Sequence, residues 1–200
     1  MTDQRTAFHP VTADRWPDLD RLFSESAGEE LGNPSRCWCM EWRLASHRAW
    51  REGAGEANRE GMRRWVGGGD VPGILAYVDG KPAGWCSVSP KSSLVGFRQP
   101  KDFPQAGGSA SRGAATQAVW SVICFYVPEA HRGQGLMGRL LLAAVTYAKA
   151  NGAQVIEGYP FVPEKADDGA GGTTAVFERA GFERVRELLP GQWLMRRILA

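Results

Sequence analysis

Two hundred residues make one domain, or at most two small ones, with room for a substantial core. With 43% hydrophobic and 23% charged residues the composition is that of an ordinary soluble globular chain, and a net charge of +2 is not the excess of a nucleic-acid binder. The longest aliphatic run, Leu140 to Val145, is far too short to cross a membrane.

The opening stretch MTDQRTAFHP lacks the basic-then-apolar pattern of a secretory signal, so a cytoplasmic protein with reduced thiols is expected. Residues 5–11 read as a short strand. Trp16, Leu19, Leu22 and Phe23 recur at helical spacing and predict a helix over Ala13 to Ser24. After the break at Asn33-Pro34, CWCMEWRLASHRAW from Cys37 reads as a second helical segment. A third runs from Gly55 to Val66 and ends in Gly67-Gly68-Gly69. In ILAYVDGKPAGWCSVS, residues 74–89, two apolar runs flank Asp79-Gly80. That dipeptide favours a type I′ turn, whose two central residues both need positive φ, so two antiparallel strands are expected. The stretch from Pro90 to Ala115 is rich in Gly, Ser and Pro and sets Lys91, Arg98, Lys101 and Arg112 against Asp102. It predicts an insertion at about 91–115, either a mobile solvated loop or a lid.

QAVWSVICFYV, residues 117–127, is almost wholly apolar and predicts a strand buried on both faces. A helix from Gln134 to Ala150 stops at Asn151-Gly152, and a strand from Gln154 to Tyr159 follows. A loop carrying Glu164, Asp167 and Asp168 leads to a short helix over Thr173 to Ala180. Phe182–Leu188 and Gln192–Leu199 read as two closing strands joined at Pro190-Gly191. The strand–helix–strand unit over 117–159 implies a right-handed parallel crossover, and the hairpin implies antiparallel neighbours. The expected fold is one α/β domain over 1–200, with a mixed sheet of six to seven strands and helices on both faces.

The turn HRGQGLMGRLL, residues 131–141, opens the longest helix. Glycines there let the main chain approach an anion without a Cβ clash, and free N–H groups and the helix dipole converge on one spot. Gly133, Gly135 and Gly138 satisfy Gly-x-Gly-x-x-Gly, and Glu157 stands about twenty residues on, where a dinucleotide fold places a ribose-binding acid. Against that reading, five residues separate strand from glycines, and only one short helix follows the next strand. A triphosphate loop needs Gly-Lys-Ser/Thr, which Gly-Gln-Gly-Leu lacks. In the plainest reading, the turn merely joins a strand to a helix. The charges of Arg132 and Arg139 suit any of the phosphate readings.

Val127 followed by Arg132-Gly133-Gln134-Gly135-Leu136 resembles motif A of the GCN5-related N-acetyltransferases, Gln/Arg-x-x-Gly-x-Gly/Ala. The likeness extends from the hairpin at residue 74 through VFERAGFERV to the last strand. Met137 stands where that family prefers Gly or Ala, with Gly138 one place later. The resemblance implies direct attack of a primary amine on the thioester of acetyl-coenzyme A, with a small-molecule acceptor preferred to a protein tail. It assigns the pyrophosphate to Arg132 through Arg139, namely Arg132, Gly133, Gln134, Gly135, Leu136, Met137, Gly138 and Arg139. It assigns the acyl carbonyl to the backbone of Phe125, Tyr126 and Val127. Thr173 either caps the last helix or touches the pantetheine arm.

The family often carries a tyrosine on its last helix as proton donor, and here that place holds Phe177. Tyr126 and Tyr159 are the substitutes. A strand carboxylate is replaced by Ile123 and Cys124, and Cys124 reads either as a nucleophile or as a buried structural thiol. Glu41, between Trp38 and Trp42, and Glu157 are the candidate bases. An aromatic wall with one carboxylate suits a cationic amine. Of four cysteines only Cys37 and Cys39 are close, and no second pair completes a zinc site, so no metal is expected. A coenzyme-A-binding sensor without turnover and an NAD(P)-dependent oxidoreductase stay open as alternatives. Neither nucleic acid nor membrane is an expected partner, and the apolar last strand leaves open pairing across a homodimer.

Overall fold

The computed structural model describes residues 5–26, 33–98, 118–165 and 171–199. In chain order its elements are β1 (Thr6–Pro10), α1 (Trp16–Glu25), α2 (Pro34–Cys37), α3 (His47–Glu52), α4 (Glu56–Gly67), β2 (Gly73–Val78), β3 (Lys81–Pro90) and β4 (Val119–Tyr126). There follow α5 (Leu136–Ala150), β5 (Val155–Gly158), α6 (Thr174–Arg179), β6 (Glu183–Leu189) and β7 (Gln192–Ile198).

The seven strands form one mixed sheet in the order β1-β2-β3-β4-β5-β7-β6, with β4–β5 parallel and the other pairs antiparallel. Asp79 and Gly80 take φ of 48° and 80°, as a type I′ turn requires. On one face α5 and α6 cover a core that includes Trp120, Val122, Phe125, Leu140, Ile156 and Phe177. On the other, the front face, α1 to α4 pack Phe23, Trp38, Met62, Trp85 and Tyr126 together. Phe23 organises that side, with ring centroids 5.2 Å from Trp38, 5.8 Å from Trp85 and 6.1 Å from Tyr126, the last two edge-on.

The segment from Cys37 differs from its expected helix. The chain leaves the helical region at Trp38 and Cys39, both left-handed with φ of 48° and 49°, and resumes a helix only at His47, capped by the Ser46 side chain. Leaving the helix lets Trp38 drop into the core while Arg43 enters from above. Arg43 is 4% exposed. Its Nη1 donates to the Cys39 carbonyl at 2.7 Å, and its Nη2 donates to the Pro72 carbonyl and the Ser87 and Ser89 hydroxyls at 2.9–3.1 Å. Burial lowers its pKa to about 10.

The expected insertion is also revised at its start. Residues 91–98 form two 3-10 turns, with Lys91 buried and Gly96 donating its N–H to the Trp42 carbonyl at 2.9 Å. A Cβ on Gly96 would lie 2.9 Å from the Glu41 carbonyl oxygen, which is why this approach needs glycine. Residues 99–117 lie outside the described residues. The last strand, β7, has β5 on one side and β6 on the other, so the edges of the sheet are β1 and β6.

Candidate active site

Strands β4 and β5 pair from Val119–Val155 to Val122–Gly158 and then part. Two features open them. β4 carries an extra residue, because Ser87 pairs with Cys124 and Val88 with Val122, leaving Ile123 as a bulge. Beyond Gly158 the chain leaves β4, and Phe161 bridges instead to Thr173 and Gln192. The result is a cleft at the carboxyl ends of two parallel strands, where open α/β sheets place ligands.

At the mouth of this cleft β4 runs into the glycine turn. Gly133 and Gly135 take φ of 72° and 73°, and Gly135 is the residue from which α5 starts. A Cβ built on Gly133, Gly135 or Gly138 meets nothing within 4 Å, so the cradle is open. The first N–H groups of α5 have no intrahelical acceptor, and no acid stands in its first turn. Met137 turns away from the cradle, its Sδ 3.5 Å from a Cβ placed on Gly172, so the departure from Gly or Ala does not fill the site. The arginines are positioned otherwise than expected. Arg132 Nε donates to the Val127 carbonyl at 2.8 Å, bracing the turn against the end of β4, and Arg139 Nη1 reaches Thr6 Oγ1 at 3.1 Å. Gln134 donates to the Ala130 carbonyl.

The other sequence-derived candidates separate. Phe125 points to the α5 side, edge-on to Phe177 with 6.1 Å between centroids. Phe177 is fully buried over Gly158, whose Cβ would lie 2.0 Å from the ring. Tyr126 is 4% exposed and its ring packs within the front core. Thr173 makes no capping hydrogen bond with its side chain. Trp38 is core, so the expected pair of tryptophans flanking Glu41 does not form. Trp42 instead packs beside Leu94, Ile123, Tyr159 and Leu194. Glu41 has a side chain 37% exposed, with His47 Nε2 at 3.7 Å. Burial raises its pKa and His47 opposes the rise.

Glu157 is neither ribose acid nor an open base. It is 1% exposed. Lys91 Nζ binds its Oε2 at 2.6 Å, and Arg196 binds its Oε1 through Nη2 at 2.6 Å and Nε at 3.1 Å. Tyr159 completes the group, its hydroxyl 3.3 Å from Glu157 Oε2 and 3.1 Å from Ser121 Oγ. Burial, then the Glu157 charge, pushes this phenol well above its usual range. Sequence reasoning missed Lys91 and Arg196, although Glu157 and Arg196 are charges on the face opposite Ile156 and Met195, the face that carries Tyr159 and Leu194. Cys124 donates to the Phe125 carbonyl at 3.6 Å and touches the Cys39 thiol. That contact and then burial hold Cys39 protonated well above the usual thiol range. This environment suits a structural thiol.

The sequence matches the model of the Acetyltransferase (GNAT) family over residues 35–182. The chain belongs to the GNAT family. No curated protein matches this GNAT chain. Solved structures share its fold at low identity. A GNAT-family acetyltransferase from Streptococcus pneumoniae is 11% identical with a TM-score of 0.57, over 98% of this chain and 100% of that one. The PaiA N-acetyltransferase from Thermoplasma acidophilum, in complex with coenzyme A, is 11% identical with a TM-score of 0.55, over 98% and 99%. Arabidopsis thaliana NAA60, in complex with acetyl-CoA, is 16% identical with a TM-score of 0.52, over 98% and 100%.

Proposed function

We propose that this GNAT protein transfers an acetyl group from acetyl-coenzyme A to a primary amine of a small-molecule acceptor, by direct attack within a ternary complex. The observation that carries the reading is the open glycine cradle at the start of α5, set beside the β4–β5 cleft. Its fit to a pyrophosphate is chemical. Left-handed glycines, unpaired N–H groups and a first helical turn without acids suit two negative phosphates. Acetyl-coenzyme A supplies the activated thioester. Gly133 to Gly138 hold the phosphates through the main chain, and the backbone of Phe125 to Val127, beyond the bulge, holds the acyl carbonyl oxygen. Phe177 has no proton to give, so the thiolate leaves unassisted. A thiol with a pKa of about 8.5 is a tolerable leaving group.

Glu41 is the candidate base for the amine, directly or through water. A base works ionised, and the Glu41 carboxyl is raised by burial, so activity should fall as pH drops through that raised pKa. The acidic limb of kcat/KM should therefore shift or vanish in Glu41→Gln. An unchanged profile removes Glu41 from the reaction.

Calorimetric titration with acetyl-coenzyme A, beside NADH and NADPH, tests the cradle. Binding of a nicotinamide nucleotide alone would sink the reading. The buried Phe177 and Tyr159 favour one second reading, a coenzyme-A-binding sensor without turnover. Release of free coenzyme A with a panel of amines separates the two.

A further inference from the structure

The front face of the sheet buries more positive than negative charge around the cleft. Arg43, Lys91 and Arg196 stand there against Glu157. Glu41 faces His47 at 3.7 Å, and Asp70 acts on Arg43 through its field alone. Lys91 and Arg43 are sealed in, but the Arg196 side chain is 41% exposed. Both Nε and Nη2 of Arg196 grip one oxygen of Glu157, which fixes the plane of the guanidinium. Its Nη1 has no partner among the described residues. Lys91 holds the other oxygen of Glu157, so one carboxylate serves two cations; the next acid, exposed Glu183, stands in register with Arg196 on β6 but makes no ion pair with it among the described residues.

This cluster stands at the cleft. Glu157 is in register with Ser121, one step before the last β4–β5 pair, and Arg196 is in register with Glu157 on β7. Beside it lie Trp42, Ile123 and Leu194. Apolar walls of this kind lower the local dielectric and strengthen attraction for an anion.

We infer that the acceptor amine also carries a carboxylate, as an amino acid does, and that Arg196 binds it. The inference rests on the transferase reading above. A guanidinium pre-oriented by one carboxylate presents its remaining N–H groups to a second without a further entropic cost of ordering.

The test is acetyl transfer to matched sets: L-phenylalanine, its methyl ester and phenethylamine, with L-lysine, its methyl ester and cadaverine. The expected result is a KM for each free acid about tenfold or more below that of its ester, at similar kcat. That ratio is the loss of one charge-assisted hydrogen bond. Arg196→Gln should raise KM for the acids by a similar factor and leave esters and decarboxylated amines unchanged, and Arg196→Lys should restore part of the difference. Thermal melts of both variants show that they are folded. Esters or decarboxylated amines used as well as acids, or an Arg196→Gln effect equal on all three, overturns the inference and leaves the transferase reading standing. Acetyl-coenzyme A that does not bind, or no transfer to any amine, overturns both.

Discussion

A Gly135→Glu variant should fold and yet lose acetyl-coenzyme A by about a hundredfold or more. The position is open, so bulk alone costs the fold little. The left-handed φ of 73° costs a side chain about 1–2 kcal/mol, partly offset by a negative charge at a helix N-terminus. The cost to binding is larger. A carboxylate within about 4 Å of a phosphate, at an effective dielectric near 20, opposes binding by about 4 kcal/mol per charge pair. Gly135→Ala separates the two effects, because it brings the strain without the charge. Its affinity should fall only a few-fold. Calorimetry reads the affinity and thermal melting reads the fold. Wild-type affinity in Gly135→Glu would place the coenzyme elsewhere.

Glu157→Gln should be the most destabilising single change at the site, by about 3–5 kcal/mol in urea unfolding, because it strands Lys91 as an uncompensated buried cation. The Lys91 side chain is 5% exposed, whereas that of Arg196 is 41% exposed and already reaches solvent. The double variant Lys91→Met with Glu157→Leu should recover most of the loss, since apolar replacement of a whole buried pair is often neutral. If Glu157→Gln unfolds like the wild type, the carboxylate is not what holds this cluster. Recovery of stability in the double variant without recovery of turnover would show that the charges serve the acceptor rather than the fold.

How legible this was depended on the range of the interaction. Asp79-Gly80 announced its hairpin because the turn is local and few other residues accept its backbone. The apolar run of β4 and the glycines after it placed the cleft wall and the cradle for the same reason. Residues 37–50 misled because the left-handed break falls at Trp38 and Cys39, with neither glycine nor proline to mark it. What compensates the strain there is a tertiary contact, the burial of Trp38 and the docking of Arg43. The Lys91–Glu157–Arg196 cluster was invisible for a kindred reason. Its members come from three separate parts of the chain, and Lys91 sits at the head of a stretch whose composition reads as loop. Arg132 matched its motif, yet its guanidinium braces the β4 end, a use that spacing does not reveal.

Arg43 bears on how the molecule assembles. One guanidinium holds the turn after α2, the approach to β2 and the last part of β3, reaching a residue 46 positions along the chain from Arg43 itself. The contacts to Pro72, Ser87 and Ser89 join residues far apart in the chain, and they are lost together if the arginine withdraws. The helical cover of the front face is thus tied to the sheet through one side chain, and hydrogen exchange is expected to show it opening as one cooperative unit. A transient opening of that unit would expose Trp85 and the Cys124 side of β4 while leaving the α5 cradle intact. The two halves of the proposed site are therefore expected to differ in local stability, with amides of the acceptor side exchanging faster than those of α5.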